Sequence, residues 1–155
     1  MATDDIDFAV AAVCEEGLWQ VVQLNAAVAD DIDDFLDALG QFRSDVGVLG
    51  FVSVNDGFFV IARAMGDDVR LLLSDVTAVT DWPLASGVAN VLDVPDPDDD
   101  DDPQPAGDMD IVSDLGMPAM ELAVLCDDPD LFPDEVIGDI ATRLGFGQDF
   151  RAIIA

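Results

Sequence analysis

Hydrophobic and polar positions alternate in blocks along the first ninety residues, and the blocks predict strands more often than helices. "IDFAVAAV" (Ile6 to Val13) and "LWQVVQL" (Leu18 to Leu24) are short runs rich in β-branched residues, separated by the turn residues Glu15, Glu16 and Gly17. They predict an antiparallel hairpin. "VGVLGFVSV" and "GFFVIARAM" flank Asn55-Asp56-Gly57, and Gly66-Asp67-Asp68 separates the latter run from "VRLLL", so two more turns and three more strands follow. Between the two groups the period changes. In "DDIDDFLDALGQF" the apolar residues Ile32, Phe35, Leu36, Leu39 and Phe42 recur at helical spacing, with Asp30 placed as the N-cap. "SDVTAVTDW" and "PLASGVANVLD" predict a helix capped by Ser74 that Pro83 breaks and restarts.

The order is that of an α+β fold, in which about five antiparallel strands carry covering helices in a two-layer sandwich over residues 1–92. From Asp93 to Asp108 the chain offers Pro, Asp, Gln, Ala and Gly with almost nothing to bury, and we read 93–108 as an acidic linker. Its prolines oppose helix and its like charges oppose collapse. The pattern returns in residues 109–155 as a small three-helix module. "DMDIVSDLG" ends at a capping Gly116, "MPAMELAVLC" opens on Pro118, and "FPDEVIGDIATRLGFG" has Pro133 in its first turn and Gly145 as its cap. A module of this size needs docking on the sheet or on a partner for full stability.

Composition changes the picture at one point, the charge. Of 155 residues, 51% are hydrophobic, enough for a core, yet 34 are acidic against five arginines, with no lysine and no histidine, for a formal charge of -29. Residues 1–92 carry -13 of it and residues 93–155 carry -16. A chain whose cations are Arg43, Arg63, Arg70, Arg143 and Arg151 has no basic patch with which to displace counterions, which excludes ordinary DNA or RNA binding. The same field repels anionic lipid, and no apolar run approaches the roughly 20 residues of a membrane span. "MATDDIDF" lacks a basic n-region, so a cytoplasmic protein is expected.

The residue inventory also narrows the chemistry. Without histidine there is no Ser-His or Cys-His nucleophile and no histidine-ligated metal, and without lysine there is neither a Schiff base nor a Walker A motif. The acidic pairs Asp4-Asp5, Asp33-Asp34 and Asp67-Asp68 fall at turns or polar faces and read as solvated charge. A calcium loop begun at Asp96 would need glycine at position 101 and glutamate at 107, where Asp101 and Gly107 stand. Asp98 to Asp102 therefore read as part of a mobile tether. Cys14 and Cys126 have no CxxC partner and read as small buried hydrophobes. Phe58-Phe59, Leu131-Phe132, Trp19 and Trp82 read as packing residues. No residue is assigned as catalytic, cofactor-binding or metal-ligating, and no cofactor is expected.

The last third carries a family pattern. "PAGDMDIVSDLGMPAMELAVLCDDPDLFPDEVIGDIATRLGFG" (Pro105 to Gly147), with its PxGDxDxxxDLG, ELxxLC and FG elements, resembles the closing segment of the actinobacterial tRNA adenosine deaminase-associated proteins. The Asp-rich helix, the paired hairpins around "GFFVIARAMGDDVRLLLSD" and the acidic spacer extend the resemblance over nearly the whole chain. It implies association with a neighbouring deaminase and no catalytic residues of the chain's own. Zinc deaminases need an H-x-E and a P-C-x-x-C, whereas here Cys126 is followed by Asp127-Asp128-Pro129. The expectation is thus a non-enzymatic acidic accessory protein with a protein partner. The alternative is a nucleic-acid mimic that occupies a basic cleft of another protein.

Overall fold

The computed structural model describes residues 6–65, 68–80, 82–94, 104–128 and 130–154. The run Asp98 to Asp102, the pair Asp4-Asp5 and the turn residues Gly66 and Asp67 lie outside them.

Six strands, β1 (Ile6–Glu15), β2 (Leu18–Gln23), β3 (Val48–Val54), β4 (Phe58–Met65), β5 (Asp68–Leu73) and β6 (Ala106–Gly107), form one antiparallel sheet in the order β2-β1-β3-β4-β5-β6. The turns follow from local chemistry. Glu16 and Gly17, with φ of 53° and 78°, join β1 to β2 as a two-residue turn with both central residues left-handed, and Asn55 and Asp56 do the same between β3 and β4 at 52° and 49°. The Gly57 amide donates to the Val54 carbonyl across the second turn at 2.9 Å. Asp7 is a bulge between the Ile6–Val54 and Phe8–Ser53 pairs. Its carboxylate accepts from Ser53 Oγ at 2.9 Å and from the Asp56 amide at 2.7 Å, which pins that turn to β1.

Both faces of the sheet are covered. On the first lie α1 (Ile32–Leu39), α2 (Pro83–Leu92) and the 3-10 turns Ala26–Asp30 and Val76–Thr80, packed on Ala9, Ala11, Val52, Val60, Leu71 and Leu73. On the second lie α3 (Ala119–Asp127), α4 (Pro133–Leu144) and α5 (Gly147–Ile154), packed on Phe8, Val10, Leu49, Phe51, Ile61 and Leu72. The fold is α+β, with a third layer beyond the two-layer sandwich expected for the N-terminal region. Because side chains alternate between faces, burying both makes β3 buried at all seven positions. At Gly50 a Cβ would lie 2.5 Å from Phe35 Cζ, so α1 rests on bare backbone there.

Three local expectations shift. The cap of α1 is Asp31, whose Oδ1 accepts from the Asp33 amide at 2.8 Å; Ala26–Asp30 is taken up by a 3-10 turn capped by Asn25, so the helix starts one residue later. Ser74 Oγ accepts instead from the Phe59 amide at 2.8 Å, and Asp75 Oδ1 receives the Thr77 amide at 2.9 Å. The segment after Ser74 is a 3-10 turn, and the α-helix begins at Pro83. The end of the expected linker is bound to the sheet. The Gln104 carbonyl accepts from the Val76 amide, Ala106 and Gly107 pair with Leu73 and Leu72, and the Asp108 amide donates to the Leu71 carbonyl at 3.0 Å. Gly107 is obligatory: its φ is +116° and a Cβ would stand 2.3 Å from the Leu71 carbonyl oxygen.

What fastens the C-terminal layer is one buried cation. Arg63, 3% exposed on the second face of β4, donates from Nε and Nη2 to the Val46 carbonyl at 2.9 and 2.6 Å and from Nη1 to the Ile111 carbonyl at 3.0 Å. Nη1 and Nη2 also reach the two oxygens of Asp114 at 2.6 and 3.0 Å, a bidentate pair. Burying a guanidinium is tolerable only because all of these acceptors converge on it.

Two outcomes follow, both readable by urea and thermal unfolding. Arg63→Ala should cost about 3–5 kcal/mol, since it strands the Val46 and Ile111 carbonyls and leaves Asp114 without its partner. Asp114→Asn should cost less, about 1–3 kcal/mol, because both carbonyls still receive the guanidinium. The hydrogen bonds from Arg63 hold the Asp114 carboxyl below the usual range. A depressed folded pKa contributes stability above the unfolded pKa and loses it as pH falls through the folded one. The gap between wild type and Asp114→Asn should therefore be constant from neutral pH to about pH 5 and close at lower pH. A gap that widens on acidification would contradict the clamp.

Candidate partner-binding surface

The motif residues of the last third come together around that clamp, and the structure gives each a mechanical job. In the motif beginning at Pro105, Gly107 lies flat on β5, Asp108 Oδ1 accepts from the Asp110 amide at 3.0 Å, and Asp108 Oδ2 lies 3.4 Å from Arg70 Nε. Asp114 holds Arg63, and Gly116, with φ of +132°, ends the 3-10 turn Ser113–Leu115 as expected. Arg63 and Arg70 are direct cross-strand neighbours, a like-charge pairing that is unfavourable by itself. Asp114 and Asp108 each neutralise one of them. In the ELxxLC element Glu121 pairs with Arg143 of α4, while Leu122 is fully buried. In the FG element Phe146 stacks between Trp19 and Phe51, with ring centroids 4.8 and 6.0 Å away.

Three of the five arginines are thus engaged with carboxylates of residues 108–121. Their charge does not present a basic surface to a phosphate.

Among the described residues, the titratable groups with displaced pKa values do not perturb one another. Asp56 is raised from its ordinary value chiefly by the charge of Asp7 beside it, but it is fully solvated, and Asp7 is committed to the turn described above. Burial pushes the Cys126 thiol up to about 11, with the charge of Asp127 adding to it. That is the direction opposite to an activated nucleophile. Cys14 is buried, and its amide donates to Ser44 Oγ at 2.9 Å. Among the described residues no group of three or more His, Cys, Asp or Glu could hold a metal ion, and no helix is long and apolar enough to cross a membrane.

The surface feature that stands apart is an open groove of about 710 Å³ between α3 and α4, lined by Met117, Met120, Val124 and Leu125 with Glu121, Asp139, Thr142 and Arg143. α3 is apolar on two sides. Leu122 faces the core with Leu125 and Cys126 partly buried beside it, whereas Met120 and Val124, four residues apart and so on one stripe, stand 82% and 67% exposed. The apolar pattern of "MPAMELAVLC" does not by itself separate the two faces. The missed signal is the composition of α3 itself: nine residues with charges only at Glu121 and Asp127, more apolar than one buried face requires.

The thiol offers a direct check. At pH 8 an ordinary cysteine is about one quarter thiolate, whereas a thiol with a pKa near 11 is only about one-thousandth. In a Cys14→Ala variant, iodoacetamide should label Cys126 on the order of a hundred times more slowly than it labels glutathione. Labelling at the glutathione rate would show that Cys126 is solvated and reactive.

No solved structure matches this chain. It is 39% identical over 150 residues, 95% of its own length and 87% of the relative's, to Protein Rv3753c of Mycobacterium tuberculosis. Residues 7–147 match the model of the Rv3753c-like tRNA adenosine deaminase-associated proteins, a span that includes the sheet, the Arg63 clamp and the groove. This chain belongs to the Rv3753c-like tRNA adenosine deaminase-associated protein family.

Proposed function

We propose that this chain is a non-enzymatic cytoplasmic accessory protein that acts by binding a basic protein partner, the tRNA adenosine deaminase of the same cell being the first candidate. The observation that carries this reading is the apolar face of α3, left open on a chain of net charge -29 in which Arg63 is buried and Arg70 and Arg143 are paired at the surface with the chain's own carboxylates. An enzyme that grips tRNA is basic where it holds phosphate. An acidic protein is drawn to that region by the same field and either docks beside the substrate or competes with it. The family name supplies the candidate, and the absence of histidine and lysine from the chain leaves it no deaminase chemistry of its own.

Mixing the two purified proteins tests this. They should co-elute on size exclusion at about 50 mM salt and separate progressively as ionic strength rises, because screening shortens the reach of charge. Absence of any complex at low salt, where attraction is strongest, would remove the deaminase as the partner.

A further inference from the structure

From the groove we infer a specific occupant: a short amphipathic helix of the protein partner that seats an apolar stripe on the exposed Met120 and Val124, with Leu125 and the buried Met117 at the base, and carries lysines or arginines on its flanks. This deepens the accessory reading and rests on it.

The floor of the groove is a helical stripe. On α3, positions 120, 121, 124 and 125 follow the i, i+1, i+4, i+5 spacing of one helix side and cover about 7.5 Å along the axis at 1.5 Å per residue, with Met117 just before the helix at one end. Such a stripe matches another helix laid alongside it, with anchors at its own i, i+4 and i+7. Methionine suits the role, since its unbranched thioether reshapes to the side chain it meets. A small polar ligand is poorly served. Glu121 and Arg143 already hold each other, and Thr142 Oγ donates to the Gly138 carbonyl at 2.9 Å, so three of the four polar residues of the lining, all but Asp139, are already engaged.

Charge selects among the helices that would fit. Between Met117 and Leu144 stand seven acidic residues, Glu121, Asp127, Asp128, Asp130, Asp134, Glu135 and Asp139, against Arg143 alone, which is paired. Of these, Asp139 and the paired Glu121 line the groove and the others stand elsewhere on α3, α4 and the segment between them; a second copy would bring the same acidic elements against them, at -29 for each chain. The chain's own segment Asp93 to Gln104 has a single large apolar residue, Val94, and cannot fill an apolar groove. Anionic lipid meets the same repulsion as a second copy. A helix with basic flanks meets attraction at the rim and apolar contact at the floor.

The probe is a synthetic helical peptide with leucines at i, i+3, i+4 and i+7 flanked by lysine and arginine, titrated against the full chain by fluorescence anisotropy. Two control peptides accompany it: one with glutamate in place of the basic residues, and one of the same composition scrambled so that the stripe is lost. Met120 and Val124 are exposed, so Met120→Glu and Val124→Glu leave the fold intact; Val91→Glu, 53% exposed on α2 across the sheet, is the matched surface control.

The basic amphipathic peptide should bind at least tenfold tighter than either control, and Val124→Glu or Met120→Glu should weaken it at least tenfold while Val91→Glu leaves it unchanged. The direction is decisive. Each glutamate adds negative charge, which by electrostatics alone would tighten a basic peptide, so weakening reports the apolar floor. Equal binding of the scrambled peptide, or equal loss in Val91→Glu, overturns the inference, as does self-association that Val124→Glu abolishes. The two readings fail separately. A deaminase complex that survives Val124→Glu sinks the groove and spares the accessory role; tight peptide binding without a deaminase complex does the reverse.

Discussion

The fold depends on a guanidinium placed where only apolar side chains should be. Arg63 sits on the second face of β4, next to Ile61 and opposite Leu49, and a lone charge there would cost several kcal/mol in lost hydration. Its five hydrogen bonds draw the turn preceding β3, the turn after β6 and Asp114 to one point. Ile111 and Val112, both fully buried, are thereby fixed against the sheet. The start of α3 follows only a few residues on. The clamp therefore sets where the C-terminal helices begin, and through them where the groove lies. An apolar residue at position 63 could contribute similar stability, but it would not specify this one arrangement of partners.

Once the C-terminal layer is seated, both faces of the sheet are filled. Phe150 meets Phe8 edge-on at 5.3 Å, and Trp19 of the edge strand lies on Phe146, so aromatic contacts continue the layer from β1 out to β2. α4 contributes its whole inner stripe, from Val136 through Leu144. α3 cannot do the same, because the side turned to the sheet uses Leu122 and leaves Met120 and Val124 outside. The exposed stripe is thus a consequence of a helix with two apolar faces held by a neighbour that covers one.

Acidity plays two parts in this molecule. A few carboxylates act locally: Asp7 ties down a turn, Asp31 caps α1, and Asp108 and Asp114 separate two arginines that the register of β4 and β5 forces together. The net charge of -29 that the carboxylates give the chain sets the field in which any partner approaches. The two parts are linked by scarcity of cations. Of the five arginines in the chain, three are paired with its own carboxylates, and the chain as a whole carries -29.

Much of the secondary structure was legible in the order of residues because it is local. The hairpin turns need only left-handed Glu16-Gly17 and Asn55-Asp56, α1 needs only its apolar spacing, and Pro133 and Gly145 bracket α4 through their own dihedral preferences. The exclusions of basic and histidine chemistry were equally legible, being matters of composition. β6 and α5 were not. Ala106 and Gly107 carry no strand signal and are a strand because β5 offers a free edge and Asp108 meets Arg70; α5, beginning at Gly147, is held by Phe150 in a pocket that exists only after Phe8 is in place. The apolar runs of β1, β3 and β4 led only to a two-layer sandwich; that both faces are buried, and which segment supplies the second cover, is a long-range matter. Arg63 reads in the sequence as one more surface charge. Its burial, the pairing with Asp114 fifty-one residues away and the groove that results were decided by tertiary structure, since a hydrogen bond's partner depends on which chain segments converge and not on the residues beside it.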